Sequence, residues 1–156
     1  MAESKYKFPV GFHFKVEFEG IKAQNKNHQF QSVSGLSIDL ETEEIAEGGE
    51  NRFKHKIPVR TKFPNLVLKR GMLTDSEVIK WCKDALMNFV FEPINLTVSL
   101  LEKDPNGNAK SEAIPLQTWN IVNAYPVKWN VSDFNAEDNK YVIETLELSY
   151  NYFTIV

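Results

Sequence analysis

The side chains able to do chemistry are few and scattered. His13 falls on the polar side of an alternating segment, His28 in a polar run and His55 in a charged stretch. None has a second His, Cys, Asp or Glu at a spacing that would complete a metal shell. Cys82, the single cysteine, stands on an apolar helical stripe beside Ala85 and Leu86. No base is identifiable for it, and apolar burial raises a thiol's pKa, so it reads as a small buried hydrophobe and not as a nucleophile. A lone cysteine also excludes an intramolecular disulfide and a thiolate-rich metal site. Asp104-Pro105-Asn106-Gly107-Asn108 shares residue types with a calcium loop but lacks its regular ligand spacing and distal glutamate. Gly48-Gly49 lacks the lysine and hydroxyl residue of a phosphate cradle, and Glu43 and Glu44 point oppositely if their segment is a strand. With no dinucleotide fingerprint, nucleophile elbow or zinc-protease helix, the expectation is a non-enzyme without catalytic residues, metal or cofactor.

Composition is that of an ordinary globular chain. The chain has 156 residues, 42% hydrophobic and 25% charged, which suits one domain with its own core. Lys plus Arg is 18 and Asp plus Glu is 21, for a formal net charge of −3. That balance argues against a general nucleic-acid binder, which needs a basic excess. No stretch approaches the roughly 20 apolar residues of a membrane-spanning helix, and Met1–Lys7 has no long apolar run behind it, so no secretory leader is expected.

The elements that would position any site are mostly strands. Phe12, Phe14, Val16 and Phe18 alternate with His13, Lys15, Glu17 and Glu19, a period-two pattern with one face buried. A second strand pattern runs from Phe30 to Leu40, where Gly35 signals a bulge or a close backbone approach. Leu66–Arg70 is a short strand stopped by Gly71. One helix follows, with Thr74 and Glu77 reading as a capping box and Val78, Trp81, Cys82, Leu86 and Phe89 as its packing stripe. Asn88 is its expected end. Ile94–Leu100 alternates, residues 104–108 form a turn, and Ile114–Ala124, Tyr125–Trp129 and Tyr141–Val156 are extended.

Residues 39–62 differ from the rest. Asp39, Glu41, Glu43, Glu44, Glu47 and Glu50 crowd the ascent to Gly48-Gly49, and Arg52, Lys54, Lys56, Arg60 and Lys62 crowd the descent. A glycine pair between polar arms predicts a long hairpin, anchored by few apolar residues, chiefly Ile45, Phe53 and Ile57. Composition leaves two readings open: a solvated hairpin closed by cross-strand ion pairs, or an arm ordered against a neighbour.

Several segments together resemble the inner-tube proteins of contractile phage tails and of phage-tail-like injection particles. They are Pro9-Val10 with the Phe12–Phe18 strand; Phe30-Gln31-Ser32-Val33-Ser34-Gly35-Leu36; Glu43-Glu44-Ile45 leading to Glu47-Gly48-Gly49-Glu50-Asn51; Asn65–Gly71 before the Trp81 helix; Trp119–Pro126 running toward Asp133-Phe134-Asn135-Ala136; and a last strand with Glu144, Leu146 and Leu148. The resemblance spans nearly the whole chain and implies a mainly β fold, an antiparallel barrel or sandwich with one flanking helix, related to the type VI secretion tube protein. It implies hexameric rings stacked into a hollow tube, with residues 39–62 as an assembly hairpin whose Glu41, Glu43, Glu44, Glu47, Gly48, Gly49, Glu50, Arg52, Lys54, Lys56, Arg60 and Lys62 meet neighbouring subunits or rings. The implied partners are further copies, a contractile sheath, baseplate or hub and tail-terminator proteins, and DNA or effector cargo in the lumen. The implied location is the cytoplasm during assembly, then a phage tail or extracellular particle. The alternatives are a baseplate-proximal initiator or adaptor of the same fold, a soluble effector or carrier, and a monomeric β-barrel binding module with an enclosed apolar pocket.

Overall fold

In the computed structural model, which describes residues 14–21, 30–73, 76–102, 114–137 and 141–156, the period-two segments form β1 (Phe14–Phe18), β2 (Ser32–Ser34), β3 (Asp39–Ile45), β4 (His55–Lys62), β5 (Leu66–Gly71), β6 (Ile94–Glu102), β7 (Ile114–Val131), β8 (Ile143–Ser149) and β9 (Tyr152–Ile155). The helix α1 (Glu77–Asn88) lies between β5 and β6. His13, His28, Thr74 and the 104–108 turn lie outside the described residues.

The main sheet runs β1-β6-β7-β8-β5-β2, with β9 also on β7 and every pairing antiparallel. It folds over at β7. The first half of that strand pairs with β6 and β9, the second with β8. The corner is Asn123, whose φ is 53° and whose backbone N–H donates to Asn95 Oδ1 at 3.1 Å. Asparagine tolerates this left-handed conformation better than most residues. The last segment turns the same corner: β8 stops at Ser149, Asn151 N–H donates to the Val122 carbonyl at 3.0 Å, and β9 begins. The single strand expected over residues 141–156 is thus two, and the two extended runs expected over 114–129 are one, carried through Pro126. Beyond Ala124, β7 pairs with β8 alone among the described residues, so the proline sits where a missing N–H need not cost a ladder bond.

Alternation places Val16 and Phe18 of β1, Leu66 and Leu68 of β5, Leu96 and Val98 of β6, and Leu146 and Leu148 of β8 in one core between the folded layers. The barrel is not closed. A groove of about 340 Å³, lined by Phe14, Val33, Leu36, Leu100 and Trp119 among others, marks the seam between the β1 and β2 margins. Gly35 is the close backbone approach that the sequence allows. Its φ is 93°, and a Cβ there would stand 2.1 Å from the Asn65 carbonyl oxygen.

The helix starts later than the capping-box reading places it. Ser76 is the N-cap and Glu77 opens the first turn; no side-chain cap bond forms, and the Ser76 hydroxyl accepts from Arg70 Nη2 at 2.7 Å. Val78, Trp81 and Cys82 enter the shared core, with the Trp81 ring edge-on to Phe18 at 6.1 Å. Leu86 and Phe89, expected on the packing stripe, are exposed at 38% and 82%. Phe89 is the C-cap, with a left-handed φ of 57°, which turns it off the helical stripe and onto Phe91, at 5.0 Å between centroids.

Candidate functional site

The strands β3 and β4 form a two-stranded sheet of their own, outside the main one. Their register pairs Asp39 with Lys62, Glu41 with Arg60, Glu43 with Ile57 and Glu44 with Lys56, with an irregularity at Glu41/Thr42. The acidic and basic arms therefore face each other within one chain. Arg60 Nε donates to Glu41 Oε2 at 2.7 Å. Lys54 lies 3.8 Å from Glu44, His55 Nε2 is 2.9 Å from Glu47 Oε2, and Arg52 clamps Glu50 through Nε and Nη2, both at 2.9 Å. The Arg60 hydrogen bond, then its charge, holds the Glu41 carboxyl below its ordinary pKa, and the side-chain and backbone bonds of Arg52 do the same for Glu50. The same bonds raise the two arginines. At the tip, Glu50 N–H donates to the Glu47 carbonyl at 3.3 Å, and Gly49 takes φ 94°, open to glycine without strain.

Each of these exposed pairs contributes little on its own. The hairpin is exposed along almost its whole length, and its exposed side chains include apolar ones beside the charged ones. Leu40 and Val59 are exposed at 57% and 56%, joined by Ile45, Phe53 and Ile57. Ile45, Phe53 and Ile57 stand out in the sequence as its anchors. Leu40 and Val59 do not, because a leucine among acids and a valine among bases look like ordinary strand residues until the hairpin is seen detached from any core. A second apolar ridge follows the helix, where Met87, Phe89 and Val90 are exposed.

Among the described residues, no group of three or more His, Cys, Asp or Glu side chains could hold a metal ion. Burial, then the Glu144 carboxylate, pushes the Cys82 thiol up to about 12, the opposite of what a nucleophile needs. The fully buried polar cluster is Arg70 and Glu144, directly opposed on β5 and β8. Arg70 Nε donates to Glu144 Oε2 at 3.0 Å, Trp129 Nε1 donates to Glu144 Oε1 at 2.9 Å, and the guanidinium stacks on Phe30, 5.1 Å from the ring centroid. It joins β5, β7, β8 and the helix start in the interior.

The site is thus an open β domain with a separate two-stranded hairpin that exposes both charged and apolar side chains. The chain belongs to the T4-like virus tail tube protein gp19 family, which matches residues 10–154. It is similar to a chain in the six-fold symmetrised anti-feeding prophage baseplate, with TM-score 0.81 and 28% identity over 97% of both chains. It is similar also to a chain in the sheath-tube complex of an extracellular contractile injection system, PVC, with TM-score 0.75 and 27% identity over 97% of this chain and 93% of that one. Hcp1 from Flavobacterium johnsoniae shares the fold, with TM-score 0.54 and 18% identity over 91% and 93% of the two chains. No curated protein sequence matches. No helix among the described residues is long and apolar enough to cross a membrane.

Proposed function

We propose that this chain is the repeated inner-tube subunit of a contractile injection particle or phage tail, forming six-membered rings that stack into a hollow tube inside a sheath, with a structural role and no catalysis. The observation that carries it is the full-length similarity to a chain of a sheath-tube complex on top of family membership. The six-fold symmetry of the similar baseplate supports the ring number, and similar chains in a sheath/tube terminator and a tube-terminating cap support a terminator partner. The baseplate similarity also favours a second reading, an initiator ring of the same fold at the baseplate.

Residues 39–62 are the assembly hairpin in this reading. Its charges are largely matched within the chain, so the neighbour is held by the exposed apolar residues Leu40, Phe53 and Val59, while the ion pairs keep the two strands in register. Reversing Arg52, Lys54 and Lys56 to Glu turns the pairs with Glu50 and Glu44 into repulsions and should stop tube growth; normal tubes from that variant would show that the hairpin's charges are dispensable for assembly. Negative-stain electron microscopy across a concentration series tests the function itself. Six-fold rings or stacked filaments are expected. Monomer-sized particles at every concentration would argue against a self-assembling tube subunit.

A further inference from the structure

The helix exit holds a residue in a conformation that its own side chain opposes. Phe89 ends α1 at φ 57° and ψ 32°, and beyond it Val90 N–H donates to the Asp84 carbonyl at 2.9 Å. Glycine is the usual residue at such a left-handed stop, and a bulky side chain there is strained. The strained residue is also the most exposed apolar side chain of its segment, ahead of Met87, Val90 and Phe91. Its ring starts an edge-to-face ladder, Phe89 on Phe91 at 5.0 Å and Phe91 on Tyr125 of β7 at 6.0 Å. Strain and exposure together in a ring steadied by its neighbours point to an anchor for a contact. Beside it, Lys80, Lys83 and Met87 recur at helical spacing on one exposed face. Lys80 has no ion pair among the described residues. Lys83 lies over the Trp129 ring, 5.8 Å from its centroid, and the adjacent acid, Asp84, accepts from the Asn88 amide.

The hairpin carries the complement. Alternation and register put Glu43, Ile45, His55 and Ile57 on one of its faces, and Phe53 joins them, edge-on to His55 at 5.1 Å. Ile45, Phe53 and Ile57 are exposed. Glu43 stands opposite Ile57 and has no ion pair among the described residues, and Glu47 reaches the same face through His55. The other face carries Lys54 and Lys56 around Glu44. Within one chain no contact links β3 or β4 to α1, so these two surfaces can meet only between copies.

Resting on the tube-subunit reading, we propose that the helix exit of one subunit receives the hairpin of a second copy, with Phe89 anchored against Ile45, Phe53 and Ile57, and the lysine face of α1 turned to Glu43 and Glu47. Each chain presents one hairpin and one helix exit, so the contact is head-to-tail and every copy both gives and receives. Charge selects the face. Docked the other way round, the hairpin would bring Lys54 and Lys56 to Lys80 and Lys83, and like charges disfavour that arrangement. The left-handed strain at Phe89 keeps an aromatic anchor where glycine would make the better helix stop.

Cross-linking between copies tests the contact in the otherwise wild-type chain, because Cys82 is buried and its thiol is held protonated. Ile57→Cys protein and Met87→Cys protein are assembled together and treated with a short bismaleimide. Cross-linked dimers in the mixed assembly, and none when either variant is assembled alone, are expected. Rings that form without a mixed dimer would overturn the docking while leaving the tube reading intact, and dimers from either variant alone would replace head-to-tail docking by a like-to-like contact. Wild-type protein that forms no rings would overturn the tube reading and this inference with it. Phe89→Gly tests the anchor. In unassembled protein its urea midpoint should equal or exceed that of wild type, because glycine relieves the left-handed strain, while the concentration needed for ring formation should rise at least tenfold. Assembly at the wild-type concentration would remove Phe89 from the contact, and a lower urea midpoint would show that the ring serves the monomer's own fold.

Discussion

Replacing Glu144 by glutamine should be among the most damaging near-isosteric changes in this chain. Arg70 and Glu144 are 3% and 2% exposed at their side chains. The carboxylate takes the Arg70 Nε bond on one oxygen and the Trp129 indole on the other. Glutamine keeps the shape and can still accept from Trp129, so no cavity forms. What it removes is the negative charge facing the guanidinium. Arg70 Nη1 already has no partner among the described residues, so nothing nearby replaces that charge. Leaving one member of a buried pair uncompensated costs about 3–5 kcal/mol. Urea unfolding of unassembled protein, followed by tryptophan fluorescence, measures the loss, and Trp129 reports from the site itself. Arg70→Met should cost a similar amount, and the double variant less than the sum, because the second substitution breaks a pair already broken. A Glu144→Gln protein within about 0.5 kcal/mol of wild type, the range of ordinary surface changes, would refute the buried-charge reading. So would strict additivity in the double variant.

Gly35→Ala should cost at least about 2 kcal/mol, since a left-handed φ is strained for any L-residue and its Cβ would overlap the Asn65 carbonyl; Gly48→Ala, which meets only open space, should stay within about 0.5 kcal/mol, and equal losses in the two would contradict the close approach. Trp81→Ala should cost about 3–5 kcal/mol, losing its contact with Phe18 and the bond from Nε1 to the Glu92 carbonyl at 2.9 Å, whereas Phe89→Ser should leave the monomer's stability within about 0.5 kcal/mol; the same chemical denaturation distinguishes them. Acid should loosen the hairpin. Glu41 and Glu50 have lowered folded-state pKa values, so their contribution is complete above the unfolded carboxyl value of about 4.3 and fades as pH falls through the folded ones. Amide protection across β3 and β4, taken relative to the intrinsic exchange rate at each pH, should fall over that window in wild type and change less in Glu41→Gln, and an unchanged acid response in that variant would take the Arg60 pair out of the explanation.

Local rules determined much of this molecule from the sequence alone. Strict alternation assigned the buried faces of β1 and β6, because a half-buried strand can satisfy water and core in only one way. The glycine at position 35 pointed to a close approach because a residue without a Cβ is what such an approach requires. Opposite charges on either side of Gly48-Gly49 marked a hairpin, and ordered motifs along the chain marked the family.

Other features depended on partners distant in sequence. The Arg70–Glu144 pair exists because β5 and β8 fall into register across 74 positions, and nothing near either residue announces it. Arg70 in turn binds the Ser76 hydroxyl, and the helix begins there without a side-chain cap bond, although a capping pattern was legible upstream. The stripe expected through Leu86 and Phe89 ends early because the chain turns left-handed at Phe89, a conformation spacing cannot reveal. The polar row Glu17–Thr97–Asn120–Thr154 across β1, β6, β7 and β9 comes from four separate segments, each an ordinary strand alone. Sequence fixes which side chains alternate, since that follows from the backbone's own period of two. Only tertiary structure decides which strands lie side by side, and so which polar residues become one surface.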